Sequence, residues 1–244
     1  MSRVGRRGVT LLELLIAVSL LSLLSVGLLM AMRVGLDAME KTNRRLADNR
    51  RVARAQRILE EQIAGFMPMV ADCIVDPEKP RLKLPFFQGE TQAMRFLSNY
   101  SLTEGARGYP RILEFQVIPG ENNQGVRLVV NEHLYTGPSG AGAFCMGLVH
   151  DPLLGAQVPL FRPIEVGPAS FVLADRLAYC RFSFREVLPP PGLERWVPRW
   201  VQPQWPTAVR IEMAPLEPDP SRVQPMELIA PIRVNKIPMT EYVD

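Results

Sequence analysis

Proline is absent from the first 67 residues, although the 244-residue chain holds 23 prolines, the first at Pro68. Proline breaks helices and is confined to strand edges and turns, so one uninterrupted helix is permitted before Pro68 and a turn-rich region is favoured after it. Charge is nearly absent from one stretch as well: between Val9 and Met32 the only charged side chain is Glu13. No second apolar run approaches 18 residues, so a second membrane-spanning helix is not expected. Cysteine is scarce. Cys73, Cys145 and Cys180 form no Cys-x-x-Cys pair, and His133 and His150 lie far apart in sequence, so no zinc site is expected. In an oxidising compartment one disulfide could form and leave one thiol over; all three pairings are open, as is a role for all three as small buried apolar residues. There is no glycine-rich phosphate loop, no Gly-x-Ser-x-Gly elbow and no His-Glu-x-x-His. Neither a cofactor nor an enzymatic activity is expected. Glu217 and Asp219, on either side of Pro218, could ligate calcium but read better as solvated turn residues.

The formal charge of +3 suggests a basic protein until its location is considered. Arg3, Arg6 and Arg7 all precede Gly8, and without them 25 basic residues face 25 acidic ones. Nucleic acid is therefore not an expected partner. The apolar share of 47% is high enough to build a packed core.

What the sequence does contain is concentrated at its start. Residues 1–8 are short, basic and without an apolar core of their own. The run from Val9 to Met32 would span about 36 Å as a helix, enough to cross a hydrocarbon layer of about 30 Å. Arginines before it place the N-terminus on the cytoplasmic side and the rest of the chain across the membrane. A cleaved secretory signal fits less well, because its apolar region is usually shorter and ends at a small-x-small site. Glu13 is the anomaly. A carboxylate in such a segment costs on the order of 2.5–3.5 kcal/mol at mid-helix, less near an end, and calls for a partner. If cleavage after Gly8 frees the amine of Val9, that amine can neutralise it, within one helix or between neighbouring subunits.

Gly8-Val9-Thr10-Leu11-Leu12-Glu13, followed by the apolar run, resembles the processing motif of type IV pilins and type II secretion pseudopilins. The resemblance implies that a prepilin peptidase cuts after Gly8, that Val9 becomes the new N-terminus and a candidate for N-methylation, and that Glu13 is the acid at mature position five, pairing with the N-terminal amine during assembly. The family usually has Phe where this chain has Val9.

Beyond the membrane segment, residues 33–66 continue as an amphipathic helix. Leu36, Met39, Leu46 and Ala53, then Val52, Ala55, Leu59, Ile63 and Phe66, recur at helical spacing. Arg44, Arg45, Arg50, Arg51, Arg54 and Arg57 crowd the same stretch and read mainly as a solvated face, with lipid head groups or an acidic neighbour as the other reading. Residues 67–244 form a β-rich globular domain. Strands are predicted at Met94 to Leu97, Arg111 to Ile118, Val126 to Tyr135, Leu177 to Phe184, Ala208 to Met213 and Glu227 to Val234. A hairpin loop is predicted at Pro119 to Gly125, and longer loops at Thr136 to Gly147 and Leu188 to Pro206. His133 reads as a packing or surface residue. Trp196, Trp200 and Trp205 mark either a subunit contact or a loop pinned on its own sheet. Without βαβ alternation the sheet should be antiparallel, giving an α+β fold.

Leu177 to Phe184, then Trp196 and Trp200, then Pro206 to Ile211 are similar in order to the J-type minor pseudopilin. That resemblance implies a structural subunit of the pseudopilus tip, joined to I-type and K-type subunits and to filament subunits, anchored in the bacterial inner membrane with its C-terminal domain in the periplasm. The position-five acid argues against the K-type subunit itself. A minor pilin of a type IV pilus, serving adhesion, motility or DNA uptake, and a signal-anchored periplasmic binding domain are the competing expectations.

Overall fold

The computed structural model describes residues 10–75, 78–152, 155–188, 192–216 and 226–233, with the side chains of residues 44–52 and of Ala156 outside the description. The chain divides into two compact units, residues 1–48 and 49–244. Helix α1 (Leu11–Ala64) runs for 54 residues, as the absence of proline permits. Within the first unit its side chains from Leu11 to Asn43 are all exposed. Residues 11–43 form a helix long and apolar enough to cross a membrane, with mean hydropathy 2.6 and none of it buried.

Among its described residues the second unit contains the last turns of α1 and twelve strands. In chain order these are β1 (Val70–Cys73), β2 (Leu82–Pro85), β3 (Gln88–Gly89), β4 (Ala93–Ser101), β5 (Ala106–Pro119) and β6 (Val126–Leu134), then a short helix α2 (Pro138–Gly142) and β7 (Cys145–Asp151), β8 (Ala156–Phe161), β9 (Phe171–Val187), β10 (Glu194–Val197), β11 (Ala208–Pro215) and β12 (Met226–Pro231). The main sheet has the order β12-β11-β9-β6-β5-β4-β3, with β10 also on β9; β1–β2 and β7–β8 are separate two-stranded sheets. Every pairing is antiparallel, as the lack of βαβ alternation predicts. The fold is α+β: a long apolar helix followed by an antiparallel sheet domain.

Strand alternation sorts the main sheet into two faces, both covered. Registers Met94↔Phe115↔Val130 and Phe96↔Leu113 put the apolar set on the first face. There Leu59, Ile63 and Phe66 cover it, joined by Trp200 and Trp205. The predicted helical stripe is thus the packed one at Ala55, Leu59, Ile63 and Phe66, whereas Ala53 is exposed and Val52 lies outside the described side chains. On the second face, Leu97 and Ile112 lie under Ala71, Cys73, Phe86, Ala141 and Phe144.

The predicted strands are all present; β4, β5, β9 and β11 are longer than predicted, and β6 stops one residue short, at Leu134. β9 begins at Phe171 instead of Leu177 because it pairs β6 with its first half and β11 with its second. Arg176, at φ 54°, marks the change of partner. The strand predicted to reach Val234 ends at Pro231, and Val234 lies outside the described residues. Two predicted loops need correction. Thr136 to Gly147 contains α2 and the start of β7, and Leu188 to Pro206 contains β10. In each case tertiary packing orders a segment whose glycines and prolines suggest none. The hairpin at Pro119 to Gly125 is present, closed by Gly120 N–H donating to the Gly125 carbonyl at 2.9 Å.

The tryptophan segment is pinned to its own sheet. Trp200 and Trp205 are buried, the Trp200 indole N–H donates to the Gln204 carbonyl, and Arg210 stacks over Trp196 at 4.2 Å. Of the three possible disulfides, Cys73–Cys145 is the one formed, and Cys180 is a buried thiol.

Candidate functional site

Gly8 and Val9 lie outside the described residues, as do Glu217 and Asp219. Glu13 lies in the first turn of α1. Its backbone N–H donates to Thr10 Oγ1 at 3.3 Å, and the Leu14 N–H donates to the Thr10 carbonyl at 3.2 Å. Thr10 is therefore the N-cap of α1, and Thr10-x-x-Glu13 has the sequence form of a capping box. The Thr-x-x-Glu spacing is the sequence signal for this cap. A carboxylate in the first turn also meets the positive end of the helix dipole, worth about 0.3–1 kcal/mol at exposed sites. Position at the helix start thus offsets part of the cost of Glu13.

From Leu14 to Met32 the helix offers only apolar surface and satisfied hydroxyls. Leu11, Leu12, Leu14 and Leu15 are all exposed. Ser19, Ser22 and Ser25 donate back to the carbonyls of Ile16, Val18 and Leu21 at 2.8–2.9 Å, so none of them carries an unmet donor into a hydrocarbon or helix-packed environment. The side chains of Arg44, Arg45, Arg50 and Arg51 lie outside the description. Arg54 and Arg57 are exposed, with Arg57 paired to Glu61 at 2.9 Å, in keeping with a solvated face. The Tyr100 hydroxyl, then Arg57, hold the Glu61 carboxyl below its usual range and tie the helix end to β4.

The second unit has a polar centre that no sequence motif marks. Arg95 is fully buried on the second face of the sheet. Its Nε donates to Glu114 Oε1 at 2.8 Å, Nη1 to Gln88 Oε1 at 2.6 Å and Nη2 to the Arg162 carbonyl at 2.7 Å. Glu114 also contacts Asn131 Nδ2 at 3.1 Å and His133 Nε2 at 2.9 Å. Burial alone would push the Glu114 carboxyl up. The Arg95 charge and the hydrogen bonds from Asn131, His133 and Arg95 outweigh it and hold the group below the usual carboxylate range. Phe144 lies 5.3 Å from the Arg95 guanidinium and 4.8 Å from that of Arg162. Asn131 reaches the Glu165 carbonyl at 2.8 Å. The network closes on protein groups and anchors residues 162–165 to the sheet. His133 is accordingly a packing residue, as expected. Among the described residues, no group of three or more His, Cys, Asp or Glu is arranged to hold a metal ion.

A comparison with curated proteins finds no match to the chain. Residues 3–29 match the family model of the prokaryotic N-terminal methylation motif, and over that segment the chain is similar to a type IV pilin-like prepilin.

Proposed function

We propose that this prepilin is a minor pseudopilin of the J type, a structural and non-enzymatic subunit at the tip of a type II secretion pseudopilus. It is held in the inner membrane by α1, with its N-terminus cytoplasmic and its β domain periplasmic, and it assembles with I-type and K-type subunits to support protein export. The observation that carries the filament role is Glu13, one acid at the head of an exposed apolar helix that begins just after the Gly8–Val9 bond. The order of the later segments favours the J type. Leu177 to Phe184, Trp196 and Ala208 to Ile211 lie on β9, β10 and β11, and β9 pairs with both of the others.

Prepilin peptidase acts after Gly8, and Val9 then carries the amine that pairs with Glu13. N-terminal sequencing of the membrane-extracted protein is expected to begin Val-Thr-Leu-Leu-Glu; a start at Met1 or beyond Arg33 would refute the processing. Glu13→Ala is expected to leave membrane insertion intact and to lower incorporation into pseudopili about tenfold, the ratio produced by a pairing loss of about 1.4 kcal/mol. Crosslinking of filaments sheared from cells expressing the variant measures this, and unchanged incorporation would remove Glu13 from assembly. Co-purification with I-type and K-type subunits, as opposed to pilus subunits, separates the secretion role from that of a type IV pilus minor pilin.

A further inference from the structure

The disulfide joins two elements that share no strand ladder. Among the described residues, β1 pairs with β2 and β7 with β8, and a lone two-stranded hairpin is marginal in water. Both hairpins contribute to the cluster over the second face, with Cys73 itself fully buried there. Cys73–Cys145 spans a sequence separation of 72 residues and is the covalent tie between them. At the same seam α2 lies directly against β1, so that a Cβ on Gly142 would collide with the Asp72 carbonyl.

The third cysteine is placed outside this chemistry. Cys180 belongs to the cluster on the first face, and burial pushes its thiol up to about 12, so at neutral pH it is not a thiolate able to attack the bridge. The Cys73–Cys145 pair therefore has two states and no internal exchange partner. The polar anchors of the same layer do not depend on the bridge. Arg95 holds the Arg162 carbonyl, Asn131 holds that of Glu165, and Arg199 donates to Asp151 at 2.6 Å. The Arg199–Asp151 pair fixes the turn end of the β7–β8 hairpin and the Arg162 and Glu165 anchors hold the chain leaving β8, while between β1 and α2–β7 the ties among the described residues are the disulfide and the exposed Ser139 hydroxyl donating to Asp72 Oδ2 at 3.1 Å.

We propose that Cys73–Cys145 is a redox latch on the second layer. Oxidised, it closes the β1–α2–β7 seam; reduced, the seam opens while the eight-stranded sheet stays folded. Opening is thiol–disulfide exchange with a dithiol, which supplies two electrons and two protons and leaves as its own cyclic disulfide, giving the Cys73 and Cys145 thiols. Closing is the reverse exchange with a disulfide-bearing oxidant. The direction in the cell rests on the proposed topology: the latch is open after synthesis and closes once the domain has crossed the membrane.

Hydrogen exchange on the full chain in detergent micelles, with and without excess dithiothreitol, tests the latch. Reduction is expected to raise exchange about tenfold or more in residues 70–73 and 145–151. Exchange in 93–101, 111–118 and 177–184 should stay unchanged, and Cys180 should remain unalkylated. The Cys73→Ala/Cys145→Ala variant should match the reduced protein. Unchanged exchange at the seam would overturn the proposal, and so would equal loss of protection in the main sheet. Failure to find a Val9 N-terminus would defeat the prepilin processing yet leave these exchange results standing.

Discussion

Arg95→Met is expected to destabilise the globular unit by about 3–5 kcal/mol, because it removes one member of a buried ion pair and strands the other. The methionine fills much of the arginine stem's volume, so little of that loss is a cavity. It is the cost of leaving Glu114 charged and buried, and of leaving Gln88 Oε1 and the Arg162 carbonyl without the donors that serve them. The Arg95→Met/Glu114→Leu double variant removes both charges and should recover a large part of the loss. It should not reach the wild type, since Asn131 and His133 then lose their acceptor. Urea unfolding of the full chain in micelles, followed by tryptophan fluorescence, gives the cycle. Additive single losses would show that the two charges do not act as a pair.

The pH dependence gives the same pair a second signature. In the wild type the Glu114 carboxyl is held below its ordinary value. Its contribution to stability is then present above the unfolded value and is lost as pH falls through the folded one, so the loss lies on the acid side of the usual carboxylate range. In Arg95→Met burial dominates and the folded value rises above the unfolded one. The sign reverses, with the penalty greatest at neutral pH and shrinking as acid neutralises the group. The gap between variant and wild type should narrow between pH 7 and about pH 4. A gap that is constant with pH would assign the loss to packing instead of charge.

Arg95 and Glu114 also show what a sequence can and cannot reveal here. Each sits in a strand whose apolar residues alternate with polar ones, a pattern that by itself describes one buried and one wet face. The second face is dry only because β1–β2, α2 and β7–β8 fold over it, and those elements are short, distant in sequence and rich in glycine and proline. Nothing local in Thr136 to Gly147 announces them; the covering contacts and the disulfide do. The long helix, in contrast, is written in local terms, by an unbroken apolar run and the lack of proline. So are β4, β5, β6, β9, β11 and β12, whose aromatic and branched residues alternate between turn clusters. Where β9 changes partner, Asp175 and Arg176 interrupt the alternation, and its first half is legible only through its ladder to β6. At the N-terminus the motif and Glu13 are visible in the sequence, while Thr10 as a cap becomes evident once the helix start is fixed at Leu11.

The second large effect is expected at Gly89 and Phe184, where the main core closes against its edge. Phe184 is fully buried and meets Phe87 edge-on at 5.6 Å. Phe184→Ala should cost about 3–5 kcal/mol through lost burial and the cavity left behind. Gly89 faces the same ring from β3: a Cβ there would lie 2.7 Å from Phe184 Cζ and 2.9 Å from Phe87 Cε1. Its carbonyl accepts the Trp200 backbone N–H at 2.8 Å, so the strand cannot retreat without loosening the tryptophan segment. Gly89→Ala is therefore expected to destabilise by about 1–3 kcal/mol by overpacking. The two losses should not add. With the Phe184 ring gone, the new methyl enters vacated space and its main obstacle is removed, so Gly89→Ala in the Phe184→Ala background should cost little or restore some stability. The coupling should be about 1–3 kcal/mol in the favourable direction, read from the urea midpoints of the four proteins. The fluorescence of Trp200 should shift in Gly89→Ala and return toward the wild-type position when a smaller side chain replaces Phe184. Strict additivity would mean that Gly89 is required for its backbone conformation and not for the space its missing side chain leaves to the ring.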